Sequence, residues 1–237
     1  MAYDIQVIIQ ANLYFLIFAL NFVVAIPLGV IVTELNDRCM LYSDITWIDP
    51  THFRTTLSSS GTCHFPLYVA VACIFYSLLL GVYNMYVVCR SRDPRIGSQM
   101  WVLPLILLTV VIVIVMLIVS CILSVGIKYT CDGFLKMKDK IKDIHSCSDF
   151  DKFELRDAQD ESLPHGSFRH FYGYLKISEV ASWVTLLVWT IQASLFVFRF
   201  FRNRRSISES KAADPLPPDA TQKSSDLTHF ASVEPTA

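Results

Sequence analysis

The sequence predicts an all-α membrane protein: a four-transmembrane-helix bundle with a small disulfide-bonded, β-rich first outer loop and a helical second outer loop. Three observations carry this. Four long apolar runs lie at about residues 5–32, 66–89, 101–127 and 177–198. The chain of 237 residues is 53% hydrophobic and only 17% charged, so four spans and their loops use nearly all of it. Four of its seven cysteines fall in the two loops that parity places on one side.

Each run is long enough to cross a bilayer. A hydrocarbon core of about 30 Å needs ~20 apolar residues at a helical rise of about 1.5 Å. Residues 103–120, nearly all Val, Ile and Leu, carry no charge and no polar face. The first run is too long for a signal-peptide core, lacks a basic leading segment and ends in no clear cleavage site, so it is expected to remain as a span. The expected organisation is an N-terminus and first span at 1–33, outer loop one at 34–65 and span two at 66–89. A cytosolic loop follows at 90–100, then span three at 101–127, outer loop two at 128–176, span four at 177–200 and a disordered cytosolic tail at 201–237.

Orientation follows from local charge density. Arg90, Arg92 and Arg95 crowd the short loop after span two, and Arg199, Arg202, Arg204 and Arg205 follow span four. The positive-inside rule puts both segments, and therefore both termini, in the cytosol. The long loop at 128–176 is also rich in Lys and Arg, so a raw count does not separate the sides; cysteine usage does. Cys39 and Cys63 flank loop one, while Cys131 and Cys147 lie in the other outer loop. Paired cysteines fit an oxidising lumen or exterior. Local pairing, Cys39 with Cys63 and Cys131 with Cys147, closes two short loops at ~3 kcal/mol each in the chain-entropy picture. Pairing across the loops is the alternative, and four cytosolic thiols would require the inverted topology. Cys73 and Cys121 read as packing residues within spans. Cys89, at the membrane edge before Arg90, suits palmitoylation, with an ordinary buried thiol as the alternative.

Within loop one, Met40, Leu41, Tyr42, Ile45 and Trp47 precede a turn at Asp49 and Pro50, and a second short apolar stretch ends at the Ser58 to Gly61 turn. Two strands closed by a disulfide is the economical reading. In the second outer loop Phe134, Met137, Ile141 and Ile144 recur at helical spacing among Lys136, Lys138, Lys140 and Lys142, and Phe150 and Phe153 continue a weaker amphipathic pattern. These faces are expected to pack on loop one, or else to meet a partner. No N-glycosylation acceptor is present. The tail beyond about Ser206 is Pro-, Ser- and Ala-rich without apolar periodicity, hence the expected disorder. Ser206 and Ser208 follow Arg204 and Arg205 in a pattern that a basophilic kinase could phosphorylate, although membrane-proximal arginines more commonly face anionic lipid.

Intramembrane polar residues are the first place to seek function. Asn12 and Asn21 lie in span one, where Pro27 should loosen the helix, and Glu179 lies just inside span four, within reach of Lys176 or Lys128. The asparagines read foremost as interhelical hydrogen-bond groups and Glu179 as an interfacial ion-pair partner. Small residues four apart (Ala25 and Gly29; Cys73, Ser77 and Gly81; Ser120 and Ser124; Ser178 and Ser182) allow close helix packing, inside the bundle or against a foreign helix. No catalytic motif or phosphate-binding glycine loop appears, and the chain has only eight glycines. His145, His165 and His170 are too scattered for a metal site. No cofactor is expected, and the net charge of −1 argues against nucleic acid.

Several short motifs resemble the transmembrane protein 179 family. They are Phe22-Val23-Val24-x-x-Pro27-Leu28, Arg38-Cys39-x-Leu41 with Trp47, Cys63-x-Phe65, Ser124-Val125-Gly126 leading to Cys131-Asp132, Ser146-Cys147, and Ala181-Ser182-Trp183. In order and spacing they cover residues 10–200; the tail and the charged middle of the second outer loop depart from the pattern. The resemblance implies a tetraspan protein with cytosolic termini, two disulfide-bearing outer loops, and a place in the plasma membrane or secretory vesicles. Tetraspanins, connexins and claudin-like proteins fit less well. The first need a Cys-Cys-Gly, the second three cysteines per outer loop, and the third a Gly-Leu-Trp before two close cysteines. The expected function is a non-enzymatic accessory or organising subunit of a channel, receptor or adhesion complex, partnered with the lipid bilayer and another integral membrane protein. The alternative is an oligomeric ion or small-solute pathway lined by Asn12, Asn21 or Glu179, which also makes a homo-oligomer an expectation. Enzymatic use of Glu179 or the loop histidines is not expected.

Overall fold

In the computed structural model, residues 2–49, 52–90, 102–136, 146–152, 154–157 and 171–213 are described. The order is α1 (Ala2–Glu34), β1 (Cys39–Asp49), β2 (His52–Ser58), α2 (Gly61–Arg90), α3 (Val102–Leu135), a 3-10 turn (Cys147–Lys152), β3 (Glu154–Asp157) and α4 (Phe171–Ala213). All four helices are long and apolar enough to cross a membrane, and the protein is an integral multi-pass membrane protein. Outside the described residues fall Arg92, Arg95, Pro50, Met137, Ile141, Ile144, Lys138, Lys140, Lys142, Phe153, the three loop histidines and residues 214–237.

The chain divides into two compact units, residues 1–197 and 198–237. In the second, the described part is the continuation of α4, where Arg204 lies over the Phe200 ring at 5.5 Å. Here the structure corrects the expected disorder beyond about Ser206, because helix persists to Ala213. Glu209, Lys211, Ala212 and Ala213 are good helix formers, and no proline intervenes before Pro215.

The helices also outrun their apolar cores at the end that carries the sheet. α2 begins at Gly61, so Cys63 sits in its first turn rather than in a loop. The carbonyls of Ser59 and Ser60 accept the N–H groups of Thr62, Cys63 and His64, and close that turn. Pro66, close behind, forgoes only the bond its missing N–H would make. α3 runs on to Leu135, and α4 starts at Phe171. Pro27 lies within the unbroken α1.

These extensions form a platform for a three-stranded sheet of order β1-β2-β3. β1 and β2 pair antiparallel as the alternation predicts, from Asp49 opposite His52 to Cys39 opposite Ser58. Their register shifts between Cys39 and Asp44, where Tyr42 adopts a left-handed φ of 61°. This bulge breaks strand alternation, so that Cys39, Met40 and Leu41 are all buried in succession. The freed carbonyls are satisfied by side chains. Ser58 Oγ donates to Leu41 O at 2.6 Å, and Thr130 Oγ1 of α3 donates to Met40 O at 2.9 Å.

α3 offers β1 a smooth seat. A Cβ at Gly126 would stand 2.8 Å from Leu41 Cδ2 and 3.0 Å from Leu41 Cβ, while one at Gly133 would stand 3.8 Å from Ile45 Cβ. Gly126, Thr130 and Gly133 share one helix face, so the strand lies in a groove made by missing side chains.

The second sheet-end loop was expected to be helical. Its described parts are the helical continuation of α3 through Phe134 and the 3-10 turn at Cys147, to which the structure adds β3. β3 pairs parallel with β2, His52 with Glu154 through Thr55 with Asp157. The turn is capped reciprocally: Ser146 N donates to Asp149 Oδ2 at 2.8 Å, and Asp149 N donates to Ser146 O at 3.1 Å.

Gly126→Ala should lower the thermal midpoint of the purified protein, by an overpacking cost of about 1–3 kcal/mol. Gly173→Ala, which meets nothing within 4 Å, should leave the midpoint unchanged or raise it. Equal behaviour of the two variants would contradict the seat.

Candidate functional site

Two regions contain the side chains that sequence reasoning singles out: the disulfide-bound sheet and the polar residues of the spans. Cys39 and Cys63 are bonded, with Cα atoms 5.5 Å apart, which ties the first residue of β1 to the first turn of α2. Cys131 and Cys147 are bonded, with Cα atoms 5.6 Å apart, which ties the last turns of α3 to the 3-10 turn. Each bond therefore joins a loop to a helix end, and β1 starts on a fixed point. Of the remaining cysteines, Cys73 is buried whereas Cys89 and Cys121 are exposed. Cys121 is thus not a packing residue. Cys89 is open on its helix at the position an acyl chain would need.

The polar residues of the spans are not brought together. Asn12 faces outward from α1, and its Nδ2 donates to Ile8 O at 2.9 Å. Asn21 is fully buried; its Nδ2 donates to Ile17 O at 2.8 Å, while its Oδ1 has no partner. The two are about two and a half turns apart, and so point to opposite sides of the helix. Glu179 is at the sheet end, where Lys176 Nζ donates to its Oε2 at 2.7 Å. No shared path connects the three. The backbone at Ser206 and Ser208 is helical.

The small-residue positions turn largely inward. Ala25, Cys73, Ser77, Ser120, Ser178 and Ser182 are buried. A Cβ at Gly81 would stand 3.4 Å from Tyr14 Cβ, so this glycine sets how closely α2 approaches α1. Ser178 Oγ donates to Val24 O at 3.4 Å across α4 and α1, and Trp183 Nε1 donates to Ser124 Oγ at 2.9 Å across α4 and α3.

Sequence reasoning missed a further set. Gln10, Tyr14, Trp189 and Gln192 are all fully buried in the half of the bundle away from the sheet. Their signal was available: two glutamines, each with a tyrosine or tryptophan at helical spacing, within otherwise apolar spans on two different helices. Among the described residues, no group of three or more His, Cys, Asp or Glu could hold a metal ion, and the arrangement presents no nucleophile paired with a base.

Comparison with known proteins bears on this architecture. No solved structure matches the chain. A family model, Transmembrane protein 179/179B Claudin domain, matches residues 6–222. Its description corrects the separation from claudin-like proteins drawn above from the wording of loop one. The first loop is closed here by a bond across 24 positions, from the start of β1 to the first turn of α2. With nearly its whole length matched, four candidate spans and a sheet seated on their ends, the chain belongs to the transmembrane protein 179/179B family of claudin-like tetraspan membrane proteins.

Proposed function

We propose that this protein is a non-enzymatic accessory or organising subunit that associates, within the membrane, with another integral membrane protein. The supporting observation is the Asn12 amide on the outward face of α1. Its Nδ2 bonds back to Ile8 O, which leaves the carboxamide oxygen and the second N–H directed away from the helix. Around it the exposed surface of α1 is apolar, with Ile8, Ile9 and Leu16 all outward. A carboxamide facing hydrocarbon is costly, and a neighbouring transmembrane helix with a polar group at that depth removes the cost. The permeation alternative gains no support from the separated positions of Asn12, Asn21 and Glu179.

The proposed orientation has both termini in the cytosol and the sheet in the exterior or a secretory-pathway lumen. The arginines of the tail and the two disulfides support it. Placement in the plasma membrane or a secretory vesicle is what the family resemblance implies, and it is compatible with this orientation. Palmitoylation of Cys89 and phosphorylation of Ser206 or Ser208 are compatible with the same sidedness.

A photoreactive residue at Leu16, introduced in cells that express the protein naturally, should give one recurrent protein adduct, reduced at least severalfold by Asn12→Leu. Adducts with lipid only, or a yield indifferent to Asn12→Leu, would reject lateral association through this face. An epitope at the C-terminus should stain only after permeabilisation; staining of intact cells would reject the orientation.

A further inference from the structure

The buried polar cluster in the half of the bundle away from the sheet has no role in the accessory function. Its geometry follows from how α1 and α4 run past each other. Gln6 Nε2 reaches Leu195 O at 3.4 Å, the Tyr14 and Trp189 rings meet edge to face at 6.1 Å, and Ser178 reaches Val24. As α1 advances α4 retreats residue for residue, which sets Gln10 level with Gln192. Tyr76 of α2 stacks on the other side of Trp189, with centroids 6.0 Å apart. The Tyr14 hydroxyl feels both the Gln192 side chain and the Tyr76 phenol.

None of these groups makes a hydrogen bond of good geometry, although Tyr14 lies near Gln192 and Tyr76 near Thr109 of α3. Both carboxamide atoms of Gln10 and of Gln192, the hydroxyls of Tyr14 and Tyr76, and Trp189 Nε1 are buried without a hydrogen-bond partner. Rearranging the side chains does not remove the problem. A reciprocal Gln10–Gln192 amide pair would use one N–H and one carbonyl lone pair on each, leaving the others together with two phenols and an indole donor. Buried polar groups in proteins are almost always paired, with protein or with an enclosed molecule. The Coulomb character of the set narrows what could be enclosed. Every member is neutral, with donors and acceptors both represented, and a buried charge would find no counter-charge among them. The polar atoms are closed off from outside, so the guest is small.

We infer that the bundle interior between α1 and α4 binds a small uncharged hydrogen-bonding molecule, water or a solute of a few heavy atoms such as a primary amide or polyol. Gln10 and Gln192 supply paired donors and acceptors from opposite helices, and the three aromatic rings wall the site. Trp189 is both a donor to the guest and a reporter of it.

The test uses full-length protein in nanodiscs with Trp47, Trp101 and Trp183 changed to Phe, leaving Trp189 as the sole indole; a Trp183-only variant serves as the lipid-facing reference. Acrylamide, itself an uncharged primary amide, should quench Trp189 saturably, excess acetamide should relieve the quenching, and iodide should have no effect. Substituting D2O for water should raise Trp189 emission severalfold more than Trp183 emission. Saturable, acetamide-sensitive quenching identifies the guest as a solute. A solvent-isotope effect without acrylamide quenching identifies it as water, and both outcomes support the site. No quenching with no isotope effect would show a dry core and overturn the inference. Equal quenching by iodide would show an open vestibule and overturn it as well. These readouts leave Gln10 and Gln192 intact, so they do not depend on whether Gln10→Leu or Gln192→Leu variants fold.

Discussion

The seating of β1 on α3 is the contact on which the sheet-bearing end depends. An isolated two-stranded hairpin has too little apolar area to hold itself together in water. Here it is pressed against a helix that has given up side chains at Gly126 and Gly133 to receive Leu41 and Ile45. Beside this contact the strand breaks at Tyr42, and the carbonyls of Leu41 and Met40 are taken up by Ser58 and Thr130. With the hairpin fixed at Cys39 to the start of α2, β2 presents a defined edge, and β3 adds to it. The third strand thus inherits its position from a contact it does not itself make.

Below the sheet the constraint changes, because lipid is as apolar as the side chains. The helices gain little from burying leucine against leucine, so shape and hydrogen bonds decide the packing. On α1 the buried positions Val7, Gln10, Tyr14, Ile17, Asn21, Val24 and Leu28 alternate in steps of three and four, the pattern of a packed seam. On α4, Phe171, Leu175, Ser178, Ser182, Thr185, Trp189, Gln192 and Phe196 do the same. Polar residues sit on both seams, and the exposed surface of each helix is overwhelmingly apolar. α3 is the extreme case: only 22% of its most hydropathic window is buried. Its buried stripe is narrow, carrying Thr109, Met116, Val119, Ser120 and Leu123, and the rest of its surface in the span is largely exposed and apolar.

This contrast governs what could be read in advance. The four spans, the hairpin and the local cysteine pairing were legible because length, alternation and loop closure are local properties. The seams were not, since a uniformly apolar helix gives no periodicity to read. β3 was invisible for another reason: Glu154, Leu155, Arg156 and Asp157 include one apolar residue, and only the partner strand makes them a strand. The bulge at Tyr42 likewise lies beside a contact, Leu41 on Gly126, between residues far apart in sequence. Yet some of the candidate site was open to simple geometry. Asn12 and Asn21 are spaced to face opposite ways on any helix, which already weighs against one aqueous lining. Gln10 and Gln192 were passed over although both are amides in apolar runs, and their meeting required the antiparallel register of two helices at opposite ends of the chain.

The most direct test of the sheet-end account is peptide mapping of the protein from its native membrane, with thiols blocked before lysis and no reductant. The account predicts linked peptides joining Cys39 to Cys63 and Cys131 to Cys147, with Cys73, Cys89 and Cys121 never in a linked pair. Links between the two loops, or blocked monomeric peptides carrying Cys39 and Cys63, would contradict it.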